Sequence, residues 1–343
     1  MKILVDVFGG DNAPDEIIEG ALLALKERKD FSVELVGDSE IISEKLKNLN
    51  LDQNFTDRIT ILHAKDVISC EEEPTLAIRR KPESSICVAF KELKENEQAS
   101  AFVSAGSTGA VLVGATLKLG RISGINRPAL CPTIPTLIEG KNVFLTDSGA
   151  NADCKSINLC QFALMASIYA KTLGVENPKV ALLSNGTEDE KGNLLIHETL
   201  PLLKEMKEIN FVGNVEGRDI LSGEYDIVIS DGFSGNIALK SMEGAINTIF
   251  TALRQGIYGS FKGKIGGALL KGTFQKLKDR LDYNNKGGAI FLGVKKPVVK
   301  AHGSSKRVAI KNAILQAVLF SESKVCEKIE NSLINSEQLW FLI

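Results

Sequence analysis

A chain of 343 residues suits one large or two modest domains, and 44% hydrophobic with 24% charged residues is the balance of an ordinary globular protein. A formal net charge of −2 provides no general attraction to nucleic acid, so any basic partner surface must be local. Six cysteines without a C-x-x-C pair, and three histidines without metal-type spacing around them, point to reduced cytosolic thiols and away from a metal site.

The opening segment, MKILVDVFGGD, places Asp6 after a short apolar run and lacks a long hydrophobic region, so it reads as a first strand rather than a signal peptide. PDEIIEGALLALKER opens a helix, with Pro14 at its start and Asp15 and Glu16 in its first turn. SVELVG, ITILHA, AFVSA, NVFLTD, KVALLS, NFVG and YDIVIS repeat the strand theme. Helical segments such as SINLCQFALMASIYAKTLG, stopped by Gly174, lie between them. This alternation predicts an α/β fold with a mostly parallel sheet in three layers. No linker or repeat divides the chain: residues 1–320 read as one α/β unit, or two interwoven subdomains, followed by a tail over 321–343. The uncharged run 98–117 is interrupted by Ser104, Gly106, Ser107, Thr108 and Gly109, so it does not read as a span of ~20 apolar residues.

Six strands end in Gly-rich polar turns: DVFGGDNAP, FVSAGSTGA, FLTDSGANAD, LLSNGTEDEKGN, FVGNVEGRD and VISDGFSGN. Open α/β sheets bind ligands beyond the carboxyl ends of their strands, so these turns can converge on one cleft. SAGSTGA passes from strand to turn to helix start. Gly106 and Gly109 let the main chain approach a ligand, and Ser107 and Thr108 supply hydroxyls. It matches neither standard nucleotide-binding pattern, and taken alone it serves equally as a tight packing turn. DSGANAD (Asp147 to Asp153) and SDGFSGN (Ser230 to Asn236) each carry an Asp at a strand end, a residue that also caps turns. Their Asn151 and Asn236 can donate to a carbonyl or phosphate oxygen without bringing charge. In NGTEDEKGN the acidic run reads as a solvated turn, and Lys191, beside Gly192 and Asn193, sets a single cation on a flexible stem.

Residues 254–280 hold seven basic residues against one acidic residue. Ile257, Phe261 and Ile265, then Leu270, Phe274, Leu277 and Leu281, form a helical stripe, while repeated glycines argue for a hairpin rather than one continuous helix. Such a segment suits an anionic membrane surface, an acidic protein, or simply a solvated cationic face. In KAHGSSKRVAIKNAILQAV, Ser304 or Ser305 is expected to cap the next helix, and His302 reads as a turn residue.

Seven of these motifs in order, DVFGGDNAP, SAGSTGA, DSGANAD, NGTEDEKGN, GNVEGRD, DGFSGN and KAHGSS, resemble the bacterial acyl-carrier-protein:phosphate acyltransferase family over residues 2 to 320. Phe8 stands where the family usually has Met, and Ser107 where Asn is common. The resemblance implies a fold like the isocitrate/isopropylmalate dehydrogenase group with a protruding helical hairpin, and a homodimer. The implied activity is transfer of a long-chain acyl group from acyl-carrier protein to inorganic phosphate, in a cytosolic enzyme associated peripherally with the membrane. The acyl phosphate would feed a membrane glycerol-3-phosphate acyltransferase. The catalytic residues it implies are Lys191 and Asn236. Around them the loop residues Asp11, Asn12, Gly106, Ser107, Thr108, Gly109, Asp147, Asn151, Asn193, Asp231, Gly235 and His302 are expected to bind substrate. Lys262, Lys264, Lys271, Lys276 and Lys278 are expected to meet the carrier protein or the membrane.

The sequence agrees with that chemistry. Phosphate is already an anionic nucleophile, so no Ser–His–Asp or Cys–His pair is required, and no cofactor or metal is expected. A thioester carbonyl gains negative charge under attack, which Asn236, Lys191 or loop N–H groups can stabilise. The acyl-CoA-dependent phosphotransacetylase reaction is the alternative.

Overall fold

The computed structural model describes residues 1–49, 51–281 and 287–335; the end of the expected tail, 336–343, lies outside them. Seven strands form a sheet in the order β3-β2-β1-β4-β12-β11-β5. Its members are β1 (Lys2–Asp6), β2 (Ser32–Gly37), β3 (Ile59–His63), β4 (Ala99–Ser104), β5 (Ala129–Cys131), β11 (Ala289–Leu292) and β12 (Val298–Lys300). All pairings are parallel except those of β11 with β12 and β5. A second sheet has the order β6-β7-β10-β8-β9, built from β6 (Thr133–Pro135), β7 (Asn142–Thr146), β8 (Lys179–Ser184), β9 (Asn210–Glu216) and β10 (Ile227–Ile229). Only the pairing of β6 with β7 is antiparallel. Every strand expected from the sequence is present. The short β5, β6, β11 and β12 were not anticipated, because three or four residues are too few to show a period.

Alternation along β1 shows why helices cover both faces of the larger sheet. Ile3 and Val5 pack with α1 (Asp15–Glu27) and α11 (Arg307–Glu322), while Leu4 packs on the opposite side with α4 (Pro74–Arg80) and α5 (Ser85–Glu95). The smaller sheet is divided likewise: Val180 and Ile227 face α7 (Ser156–Thr172), while Ala181 and Val228 face Leu239 of α9 (Gly232–Tyr258). Two α/β halves thus stand side by side.

The halves are not separate. β5 and β6 are joined through Pro132, so one short stretch of chain edges both sheets. α7 is buried nearly all round and belongs to a core that takes in Phe144 of β7 and Ile290 of β11. Tyr169 on α7 packs edge-on against Phe144 (5.3 Å) on one side and Phe320 of α11 (5.5 Å) on the other.

The expected tail is part of this body up to Asn335. α11 continues to Glu322, and α12 (Val325–Asn335) buries Val325, Ile329 and Leu333. The start of α11 also departs from expectation: neither Ser304 nor Ser305 caps it. The cap position is Lys306, and the Arg307 N–H is accepted by the Glu16 carboxylate at 2.6 Å from across the α1–α11 contact. The basic segment forms two helices, the end of α9 and then α10 (Phe261–Leu281), which pack on one another. Among the described residues no helix is long and apolar enough to cross a membrane.

Candidate active site

A cleft of about 330 Å³ opens between the halves, where the parallel strands of both sheets end. The larger sheet brings Thr108 after β4 and Lys300, Ala301 and His302 at the end of β12. The smaller contributes Ser148 and Gly149 after β7 and one face of α9.

Beneath the first wall, three neighbouring strands finish in buried polar groups: Asp6 on β1, Ser104 on β4 and Lys300 on β12. The Ser104 hydroxyl donates to Asp6 Oδ2 at 2.7 Å and accepts the Gly106 N–H at 3.0 Å. Burial raises the Asp6 carboxyl above its ordinary pKa, against the opposing pull of these hydrogen bonds. The crowding explains the adjoining Gly-rich turn: a Cβ on Gly9 would stand 2.5 Å from the Asp6 carboxylate and 2.6 Å from the Gly106 nitrogen. Lys300 donates to the main-chain oxygens of Ala105 (3.3 Å) and Ala301, and burial pushes its pKa down to about 8.

The second wall rests on Asp147. Its Oδ1 accepts N–H groups from Leu130 (2.9 Å), Gly149 (3.3 Å) and Ala150 (3.0 Å). Its Oδ2 accepts both the main-chain N–H (2.6 Å) and the side-chain amide (2.8 Å) of Asn151. α9 then starts against this turn, with Asp231 capping it through the Ser234 N–H at 2.8 Å. Gly235 is obligatory there, because an added Cβ would lie 2.0 Å from the Asp147 carbonyl oxygen. One residue on, Asn236 reaches the cleft, its side chain close to Gly149. Helical spacing places Leu239, Lys240 and Glu243 on the same face. Lys240 pairs with Glu243 at 2.9 Å, and the second Glu243 oxygen is buried without a hydrogen-bond partner. The His302 Nδ1 accepts the Ser304 N–H at 3.2 Å. Burial, then the nearby Lys240, holds this imidazole below its usual pKa.

Of the residues expected at the site, Thr108, Asn236 and His302 line the cleft directly. Others shape its walls. Ser107 caps the helix α6 (Thr108–Gly114) through the Ala110 N–H, and Gly109 packs on Pro74. The Asp11 N–H donates to Gly303 O at 2.8 Å, and the Asn12 amide donates to Ser304 O at 3.0 Å, which ties the first loop to the His302 loop. Asp147 and Asn151 are buried and their bonds are taken up by the turn and by the β5 segment beside it, where Leu130 donates to Asp147 and Pro128 O accepts from Asn151 at 2.8 Å. Asn193 caps α8 (Leu194–Glu205). Lys191 is exposed on the turn after β8, with its stem against Gly186, and it does not line the cleft. β8 neighbours β10, so that turn opens at the same end of the sheet as Asn236.

Sequence reading missed Lys240, Glu243 and Lys300. The i, i+4 step from Asn236 would have found Lys240, and a lysine closing the apolar pair Val298–Val299 marks Lys300.

Comparison with known proteins agrees with this architecture. The family described as "Fatty acid synthesis protein" matches residues 1–328. A phosphate acyltransferase of Clostridium novyi is 48% identical over 96% of this chain and 98% of its own length. One of Clostridium tetani is 46% identical over 99% and 100%. Among solved structures, a phosphotransacetylase from Streptococcus pyogenes superposes with a TM-score of 0.59 at 18% identity, covering 94% of each chain. A branched-chain phosphotransacylase from Enterococcus faecalis does so with 0.58 at 17%, covering 94% of this chain and 99% of its own. At that identity the likeness is one of fold. The chain belongs to the phosphate acyltransferase family of fatty acid synthesis proteins.

Proposed function

We propose that the protein transfers a long-chain fatty acyl group from acyl-carrier protein to inorganic phosphate, giving an acyl phosphate for phospholipid synthesis. The observation that carries this reading is the convergence of Asn236, Thr108, Lys240 and Lys300 on one cleft at the strand ends. Neutral donors and cations meet there as an anionic nucleophile and a developing oxyanion require. A phosphate oxygen attacks the thioester carbonyl and the C–O bond forms. The carbonyl electrons move to oxygen, where the Asn236 amide donates to them. The tetrahedral species collapses by breaking C–S, and the carrier thiol departs as thiolate, which a pKa near ~8.5 permits without a strong acid. Lys191, on the turn after the neighbouring strand, is the second catalytic candidate.

The α9–α10 hairpin supports a carrier-protein or membrane encounter. Phe261 and Leu269 are 80% and 82% exposed, and Lys262, Lys264, Lys271, Lys276 and Lys278 lie on the same helix. Apolar side chains amid cations suit a peripheral contact with an anionic lipid surface, and the cations suit an acidic carrier protein. A homodimer belongs to this reading as an inference from the family.

The test is to incubate purified protein with palmitoyl-carrier protein and phosphate, then assay acyl phosphate and free thiol. Both should appear in equal amounts. Turnover of acetyl-CoA with none of the carrier substrate would favour the phosphotransacetylase alternative, which the fold likeness alone would allow.

A further inference from the structure

Lys300 counts among the cations of the cleft without a role of its own so far, and its setting is unusual for a lysine. It closes β12 in register with Ser104 of β4 and is only 7% exposed. Lysine is almost never buried without a partner, because removing an ammonium from water is costly. Here its partners are two main-chain oxygens, Ala105 and Ala301, which begin the two loops on the first wall. An ammonium carries three donors, so one remains beyond these bonds, and Lys300 is among the residues lining the cleft.

The charged and titratable groups around it do not complete an ion pair. Asp6 from β1 and Asp11 from the first loop favour its charge, as does the exposed Cys70 thiol, whereas Lys240 from α9 opposes it. His302 lies two residues away and is itself held below its usual pKa, and Glu243 is paired with Lys240. Among the described residues no carboxylate bonds to the Lys300 ammonium. Two cations, Lys300 below and Lys240 across, line the cleft together with hydroxyls, the Asn236 amide, main-chain groups, the His302 imidazole and an apolar face of Leu130, Pro132 and Leu239. Its one carboxylate among the described residues, Glu243, is paired with Lys240. A small, multiply charged oxyanion answers that field.

We propose that Lys300 is the phosphate anchor of the cleft: its remaining N–H binds inorganic phosphate and, with Lys240 opposite, holds it beside Asn236. This assignment rests on the phosphate acyltransfer reading and deepens it. Two carbonyls fix the ammonium in place, so it orients the nucleophile without a flexible stem, and it shares its charge with those carbonyls rather than quenching the attacking oxygen. The role is binding, and its signature is a selective loss of affinity for phosphate.

The experiment uses the full-length enzyme in a Cys70→Ser background, which removes the neighbouring thiol. Phosphate and sulfate binding are measured by calorimetry, sulfate because its charge is constant over the range. Lys300→Met should weaken both anions about tenfold or more, the loss of one charge-assisted bond. In steady-state assays it should raise KM for phosphate by about the same factor, with KM for the acyl donor changed less than about twofold. Lys300→Arg should retain most of the anion affinity. With Lys300 intact, sulfate affinity should fall as pH rises from about 7 to about 9.5, the interval in which this ammonium and not an ordinary lysine discharges, and Lys300→Met should abolish that slope. Unchanged anion affinity in Lys300→Met, equal losses for phosphate and acyl donor, or a flat sulfate profile with Lys300 intact overturns the proposal. If Lys300→Met does not fold, the sulfate profile decides it. Normal acyl phosphate formation with a flat sulfate profile removes the anchor alone. The sloping profile in an enzyme that makes no acyl phosphate keeps the anion site and removes the reaction.

Discussion

Asp147 Oδ1 accepts the Leu130 N–H at 2.9 Å, a bond that runs from the end of β7 in the smaller sheet to β5 in the larger. The same carboxylate accepts four further N–H bonds within its own turn, so one side chain both shapes the DSGANAD loop and fastens the two halves. Asp147→Ala leaves the buried donors of Leu130 and Asn151 unmatched. We expect a loss of about 3–5 kcal/mol in urea unfolding, the range for breaking a buried charged network, with Asp147→Asn losing less. Wild-type stability in the alanine variant would show that the joint lies elsewhere.

Asn236 is exposed at the cleft, so its removal should affect chemistry and not folding. Asn236→Ala is expected to lower kcat by about 10²–10³-fold, the usual effect of deleting an oxyanion donor, while the melting midpoint stays put. Lys191→Ala should also lower kcat without destabilising the fold, since the side chain is exposed. Unaltered kcat in either variant removes that residue from the machinery.

Two glycines on α9 should respond in opposite ways to the same change. Alanine is favoured over glycine in a helix, and at Gly244, where an added Cβ meets nothing within 4 Å, Gly244→Ala should stabilise by about 0.5–1 kcal/mol. At Gly235 the added Cβ would lie 2.0 Å from the Asp147 carbonyl oxygen, so Gly235→Ala should destabilise, whatever the helix propensity. Denaturation midpoints compare the pair directly.

On the hairpin, apolar and basic side chains can be separated by mutation. Phe261→Asp with Leu269→Asp should abolish flotation with anionic vesicles, because both side chains stand almost fully in water. Charge reversal at Lys271, Lys276 and Lys278 should weaken both vesicle and carrier-protein binding and flatten their dependence on salt. Unchanged dissociation constants for both would show that this surface has another role.

Period and turn chemistry made the long elements readable: the helix opened by Asp15 and Glu16, the strand ending at Asp6, and the buried helix ending before Gly174 are all found where their residues put them. The convergence of the Gly-rich turns was legible in part: parallel strands end on one side, and three of the six turns, SAGSTGA, DSGANAD and SDGFSGN, supply residues to the cleft, while the other three do not line it. Individual duties were not. Asp147 and Asn151 carry the polar atoms of ligand-binding residues, but five hydrogen bonds made after folding occupy the Asp147 carboxylate. Glu16 takes over the capping task expected of Ser304 or Ser305 because α1 crosses α11, a contact between residues far apart in the chain. Lys300 escaped notice because its only local mark is the apolar pair Val298–Val299 before it; its burial comes from β4 and the loops above it.

The helix α7 has a mechanical consequence. With its flanks in the cores of both sheets and Tyr169 wedged between Phe144 and Phe320, it acts as a shared keel rather than a hinge. Swinging the halves apart would tear close-packed side chains from each other. Substrates must therefore enter a gap whose width is set before they arrive, and any gating has to come from the turns at its rim and the two helices projecting beside it.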